Sequence, residues 1–186
     1  MTQREFITFL SAVEKMKCNT RHCFKTNGEK ESVADHSWRL SLMPLLLKEE
    51  FPDTDICRVT EMCIIHDLGE AVTGDIPCFL KTGADENTET DAVGTLLDML
   101  PADVRARFSA LYDEMASLET KEAKLWKALD NMEAVLAHNE SDLKTWLPLE
   151  YELNVTYGEK TVAFSDWLVK LKAELNADTR KKIDEG

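Results

Sequence analysis

Apolar positions recur at three- and four-residue spacing along most of the chain, the period of a helix that buries one face. Phe6, Phe9, Leu10, Val13 and Met16 place an amphipathic helix over about residues 2–17. The segment from Cys18 to Ser32 is polar and carries a turn signal at Asn27-Gly28. A second helix starts near Ser32 and runs towards Glu50, with Pro44 predicting a kink or break inside it. Asp53 reads as the N-cap of a third helix that ends at the Thr73-Gly74 turn, and a loop follows as far as Thr88. Further helices are predicted over about 86–100, 102–117, 120–139 and 159–176, with breaks at Pro101 and Gly158. ELNVTY, residues 152–157, is the nearest approach to a strand. The pattern predicts an all-α fold, a compact bundle of about six to eight helices in one domain over residues 1–180. Its core spans about residues 5–140, C-terminal helices follow over about 141–176, and residues 177–186 read as a fraying tail.

Charge narrows the choice of partners. Lys plus Arg number 22 and Asp plus Glu 35, a net charge of −13. Such a surface repels nucleic-acid polymers, whereas a small phosphorylated ligand can still bind where a cation reverses the local potential. The five cysteines, Cys18, Cys23, Cys57, Cys63 and Cys78, are odd in number and form no C-x-x-C pair. That usage suggests reduced thiols, and the five-residue spacing of Cys18 and Cys23 around His22 matches no common zinc knuckle. With no signal-like N-terminus and no apolar run of roughly 20 residues, the expectation is a cytoplasmic protein away from membranes.

The candidate chemistry lies in MCIIHDLGEAVTGD, where His66 and Asp67 follow an apolar run. A buried Asp needs a partner or a metal, and no Lys or Arg lies between Arg58 and Lys81. Glu70 falls four residues after His66 on the same helical face, and Asp75 follows in a Gly-containing turn. His36 opens another helix, and Asp130 borders the apolar stripe of Leu125, Leu129, Met132 and Leu136. Three helices can thus bring two imidazoles and two carboxylates to one point, a donor set suited to Mn, Co, Fe or Zn. Each residue alone has a plainer reading. His36 could be satisfied by Glu31 or Asp35, Asp130 could be a surface acid, Glu70 a lysine's partner, and Asp75 a turn residue. His138 reads as structural or exposed, the four tryptophans as packing residues, and the acids around Asp85, Glu86, Glu89 and Asp91 as a solvated face.

Taken together, ESVADHSWR, IIHDLGEAVTGDIP and KALDNMEA, in that order and spacing, resemble the HD-domain phosphohydrolases, and among them the HD-domain 5′-deoxynucleotidases. The resemblance covers roughly residues 5–140. It implies the all-helical HD fold, commonly a homodimer, and hydrolysis of deoxyribonucleoside 5′-monophosphates to nucleoside and phosphate. It also implies one divalent metal ion (Mn, Co, Zn, Fe or Mg) on His36, His66, Asp67 and Asp130, catalytic carboxylates at Glu70 and Asp75, and a phosphate-binding Arg21. In the bacterial deoxynucleotidases it resembles, a tryptophan crowding the sugar 2′ position follows that arginine. Here His22 stands there as the substrate-facing candidate, and its smaller ring leaves the choice between deoxyribose and ribose open.

The rival expectations are few. Two-metal phosphodiesterases and di-iron oxygenases on this scaffold use further histidines before the distal Asp, and none lies between His66 and Asp130. Hydrolysis of hyperphosphorylated guanosine alarmones would lead one to expect a second acid directly after Glu70, where Ala71 stands. A non-catalytic helical metal-binding module is the third alternative.

Overall fold

The computed structural model describes residues 1–186, and the chain is helical apart from one small hairpin. Thr2 caps α1 (Gln3–Val13) through a capping box with Glu5, and a single 3₁₀ turn leads into β1 (Thr20–Phe24) and β2 (Lys30–Ser32). This antiparallel pair is absent from the sequence expectation, because two strands of five and three residues with mostly polar side chains carry no legible alternation. Thr20 pairs with Ser32 and Phe24 with Lys30, so β1 fits three residues where β2 has one. Such a bulge lets consecutive side chains escape strict alternation.

Ser32 ends the hairpin and caps α2 (Val33–Leu46), its hydroxyl accepting from Asp35 N–H while the Asp35 carboxylate accepts from Ser32 N–H. Pro44 lies inside α2 without breaking it, and the helix stops two residues later. Asp55, not Asp53, caps α3 (Ile56–Ile65), which ends at His66 rather than running to Gly74. A tight turn then leads into the single-turn α4 (Glu70–Thr73). The segment expected as loop to Thr88 is helical from Gly83, because Thr82 and Asp85 form a capping box for α5 (Gly83–Leu97). Helices α6 (Ala102–Ser117) and α7 (Lys121–Glu140) match the predicted spans within two residues.

Helices α2, α3 and α7 pack against one another around Val33, Leu40, Val59, Met62, Leu125, Leu129 and Met132, all fully buried. The C-terminal third closes over α7. ELNVTY is helical, within α8 (Glu150–Thr156) and its C-cap, and the single helix expected over 159–176 is split into α9 (Glu159–Val162) and α10 (Asp166–Glu185). The residues read as a tail are helical through Glu185, with Thr179 fully buried. Thr179 and Asn154 both hydrogen-bond to the side-chain oxygen of Asn139, at 2.8 and 2.9 Å, which ties α10 and α8 to α7. No helix is long and apolar enough to cross a membrane.

Candidate metal centre and the cavity beside it

His36 is in the first turn of α2, His66 and Asp67 follow α3, and Asp130 lies mid-way along α7. These are the helices that share the core, so apolar packing alone brings the four side chains to one place. His36 Nε2 lies 3.2 Å from His66 Nε2, 3.4 Å from Asp130 Oδ1 and 3.7 Å from Asp67 Oδ2. His66 Nε2 lies 3.0 Å from Asp67 Oδ2 and 3.7 Å from Asp130 Oδ1. Two donors each about 2.1 Å from one cation stand about 3.0 to 3.4 Å apart, so these separations suit a shared ion.

The outer nitrogens fix the tautomers. His36 Nδ1 bonds the Glu133 carboxylate, and His66 Nδ1 donates to the Cys63 carbonyl at 2.9 Å. Both Nε2 lone pairs therefore face the same point, and Asp67 Oδ2 is buried there without a hydrogen bond. Two lone pairs and a carboxylate oxygen converging in a dry site repel one another unless a cation or a proton lies among them. Burial works against a charged imidazole at His36, but Asp130 and Glu133 overcome it and push its pKa up to about 10. Burial likewise opposes ionisation of Asp67, yet His66, His36 and Arg21 hold that carboxyl well below the usual range.

Glu133 was not singled out from the sequence, where an acid in a helix reads as solvent-facing. Here it is fully buried, and Arg39 Nε donates to its second oxygen at 2.7 Å. Lys127, also overlooked, holds the other oxygen of Asp130 at 2.8 Å from Nζ and lies 5.2 Å over the Trp126 ring. Trp126 in turn meets His66 edge-on at 5.9 Å, and the Tyr112 hydroxyl of α6 donates to the Ile65 carbonyl at the end of α3. Gly69 permits a close approach: a Cβ there would stand 2.9 Å from the Glu89 carbonyl oxygen and 3.0 Å from Val93 Cγ2.

A cavity of about 380 Å³ opens from this cluster, lined by Arg21, His22, Asp67, Glu70, Asp75 and Asp130 among others. Every candidate read from the sequence is therefore in the cluster or on this cavity. Glu70 is 5% exposed with one oxygen buried and unpaired; burial, then Asp67 and Asp75, push its pKa up to about 9. Burial also raises the Asp75 carboxyl, opposed by Arg21. Arg21 Nε lies 3.3 Å from Glu31 Oε2 and Nη1 lies 3.6 Å from Asp67 Oδ2, ion-pair contacts of which the first is not aligned as a hydrogen bond. His138, expected to be structural or exposed, lines the cavity, and Trp38, expected to pack, is 70% exposed.

The family model described as HD domain matches residues 13–172. The chain is 30% identical to the 5′-deoxynucleotidase HDDC2 of Bos taurus over 97% of its own length and 88% of that protein. It is 25% identical to the 5′-deoxynucleotidase hdd1 of Schizosaccharomyces pombe over 89% and 81%. Among solved structures, a predicted metal-dependent phosphohydrolase from Magnetospirillum magnetotacticum superposes with a TM-score of 0.76 at 28% identity, covering 98% of this chain and 91% of that one. A conserved hypothetical protein from Pyrococcus furiosus gives 0.64 at 25% identity, covering 94% and 99%.

Proposed function

Since the chain belongs to the HD-domain family, we propose that it is a metal-dependent phosphomonoesterase that hydrolyses nucleoside 5′-monophosphates to nucleoside and phosphate. The observation that carries this reading is the convergence of two imidazole lone pairs and two carboxylates beside a cavity with further acids and one arginine. The names of the similar proteins point to the same chemistry.

His36, His66, Asp67 and Asp130 would hold the divalent ion, and their donor set suits Mn, Co, Fe or Zn. When bound, such an ion supplies Lewis acidity that acidifies water and neutralises charge on phosphoryl oxygens. The chain's own groups do the rest. Arg21 presents a fork of donors matched to the phosphoryl oxygens. Glu70, kept neutral near pH 7 by burial and by the Asp67 and Asp75 charges, orients through a hydrogen bond the water that attacks phosphorus, and the proton this water loses replaces the one Asp75 gives up. Asp75, its neutral form favoured by burial, gives a proton to the departing 5′-oxygen as the P–O bond breaks. The half-buried cavity limits competing water around the reacting groups.

The same reading includes self-association. Trp38, Leu42 and Leu45 form one exposed apolar stripe along α2 at i, i+4 and i+7 spacing, the kind of face a second copy covers.

The test is phosphate release from a panel of ribo- and deoxyribonucleoside 5′-monophosphates by chelator-treated protein reloaded with Mn, Co or Mg. Asp67→Ala is expected to fold, to bind metal poorly and to lose roughly a thousandfold or more in kcat, several kcal/mol of lost charge stabilisation. Hydrolysis by Asp67→Ala at the parent rate would remove this site from the chemistry.

A further inference from the structure

Arg21, Lys81 and Lys127 are the cations that line the cavity, and acids outnumber them there. Two of the three are tied to acids that the ion cluster does not use: Arg21 Nε lies 3.3 Å from Glu31, and Lys81 pairs with Glu89. Lys127 differs. Its ion-pair partner is Asp130, Nζ standing 2.8 Å from Oδ2, while Asp130 Oδ1 faces His36 Nε2 at 3.4 Å and His66 Nε2 at 3.7 Å. One carboxylate is thus shared between the lysine and the place of the ion. An ion there draws the Asp130 charge to itself, and Lys127 has no second acid to fall back on. The ammonium lies 5.2 Å over the largely buried Trp126 ring, which supports it beside the cavity rather than leaving it loose in solvent.

Position says which part of a substrate this cation meets. Lys127, Asp130, Ala134 and His138 all line the cavity at three- and four-residue steps, so one face of α7 forms a wall of it. At a rise of about 1.5 Å per residue, Lys127 stands about 4.5 Å from Asp130 along the axis, and His138 about 12 Å from it in the other direction. His22, Cys23 and Glu150 gather at the His138 end, with Cys23 Sγ 3.2 Å from His138 Nδ1. The nucleoside of a phosphomonoester has its walls there, and its phosphoryl group falls at the ion cluster. Lys127 lies on the opposite flank of Asp130 from the nucleoside.

We propose that Lys127 is a phosphoryl-binding residue: once the cluster holds its ion, the ammonium turns from Asp130 and donates to a non-bridging phosphoryl oxygen, whatever nucleoside the ester carries. This rests on the phosphomonoesterase reading and adds a catalytic residue to it. A compact ammonium on a flexible stem suits a point contact with one phosphate oxygen, where Arg21 offers a fork. Such a charge, set in place before reaction, also steadies the phosphoryl group as the bond to the 5′-oxygen breaks.

The experiment measures two affinities by calorimetry in the parent and in Lys127→Met, which keeps the stem over Trp126 and removes the ammonium: Co for chelator-treated protein, and inorganic phosphate for protein saturated with Co. It adds kcat/KM for dAMP and AMP, and melting curves to show folding; Lys127→Gln replaces Lys127→Met if the latter is unfolded. In the variant, phosphate affinity and kcat/KM for both nucleotides are expected to fall by a common factor of about tenfold or more, the worth of one charge-assisted hydrogen bond. Co is expected to bind at least as tightly as in the parent, because the lysine no longer competes for Asp130. A lysine that merely steadies Asp130 gives the reverse, weaker Co binding with phosphate affinity unchanged at saturating Co, and that result overturns the proposal. A parent that hydrolyses neither nucleotide ends the phosphomonoesterase reading separately. Lys127 is then judged on phosphate affinity, and a Co-saturated parent that binds phosphate no better than the variant refutes it.

Discussion

Glu133 shows how much a single side chain can do without touching substrate. It pairs with His36 Nδ1 on one oxygen and with Arg39 on the other, so it fixes the ring's orientation and its tautomer together. Partners of this kind typically govern metal affinity by about 10- to 100-fold. Glu133→Gln is therefore expected to weaken Mn or Co binding by that order in titration calorimetry, with the helical circular dichroism signal retained. Unchanged affinity would mean that His36 is oriented by packing alone. At this scale the sequence was informative where residue types are chemically distinctive. His36, His66 and Asp67 stood out as imidazoles and an acid beside apolar runs, whereas Asp130 was picked out by the resemblance of KALDNMEA to the HD-domain pattern, and the fold brings all four together. Glu133 and Lys127 could not be read, since each becomes distinctive only when the fold places a charged partner against it.

Elements were legible in proportion to their apolar periodicity. Helices α6 and α7 appeared close to their true spans, while α10 was cut short because its last ten residues offer almost no apolar stripe. Beside Leu168 and Leu175, its buried positions are polar: Lys172, Asn176 and Thr179. Lys172 donates to the Asn154 carbonyl at 2.9 Å, and burial lowers its pKa to about 8. Because the unfolded chain binds this proton more tightly, with a pKa near 10.4, stability should rise with pH between about 8 and 10.4. Below pH 8 the full cost of the buried charge remains. Lys172→Met is expected to stabilise the protein by about 2 kcal/mol at pH 7, allowing for the carbonyl left unpaired, and to flatten the alkaline rise in urea denaturation. Gly158 begins α9 at φ 79°, where a Cβ would lie 2.6 Å from Met132 Cε and 3.0 Å from Asn131 Cβ. Gly158→Ala should cost about 2 to 3 kcal/mol, read as a lower urea midpoint at constant slope.

Across the whole molecule, the helical core assembles the ion cluster, while the hairpin, the segment between α4 and α5, and α8 supply much of the rest of the cavity wall. The hairpin was the main architectural feature hidden in the sequence, because short polar strands leave no periodic trace. The exposed stripe on α2 belongs to this scale as well: Trp38→Glu is expected to convert a dimer to a monomer in light scattering, and a monomeric parent would discard that assembly. The bulge in β1 reaches furthest. In a regular ladder, sequence neighbours face opposite sides, so Arg21 and His22 could not both look inward. By seating three residues opposite one, the strand turns adjacent positions into adjacent contacts along a bound molecule. Selectivity is thereby partly a matter of backbone parity: a regular strand would seat a single residue where Arg21, His22 and Cys23 now sit and so alter what is recognised, while leaving every ion-binding side chain in place.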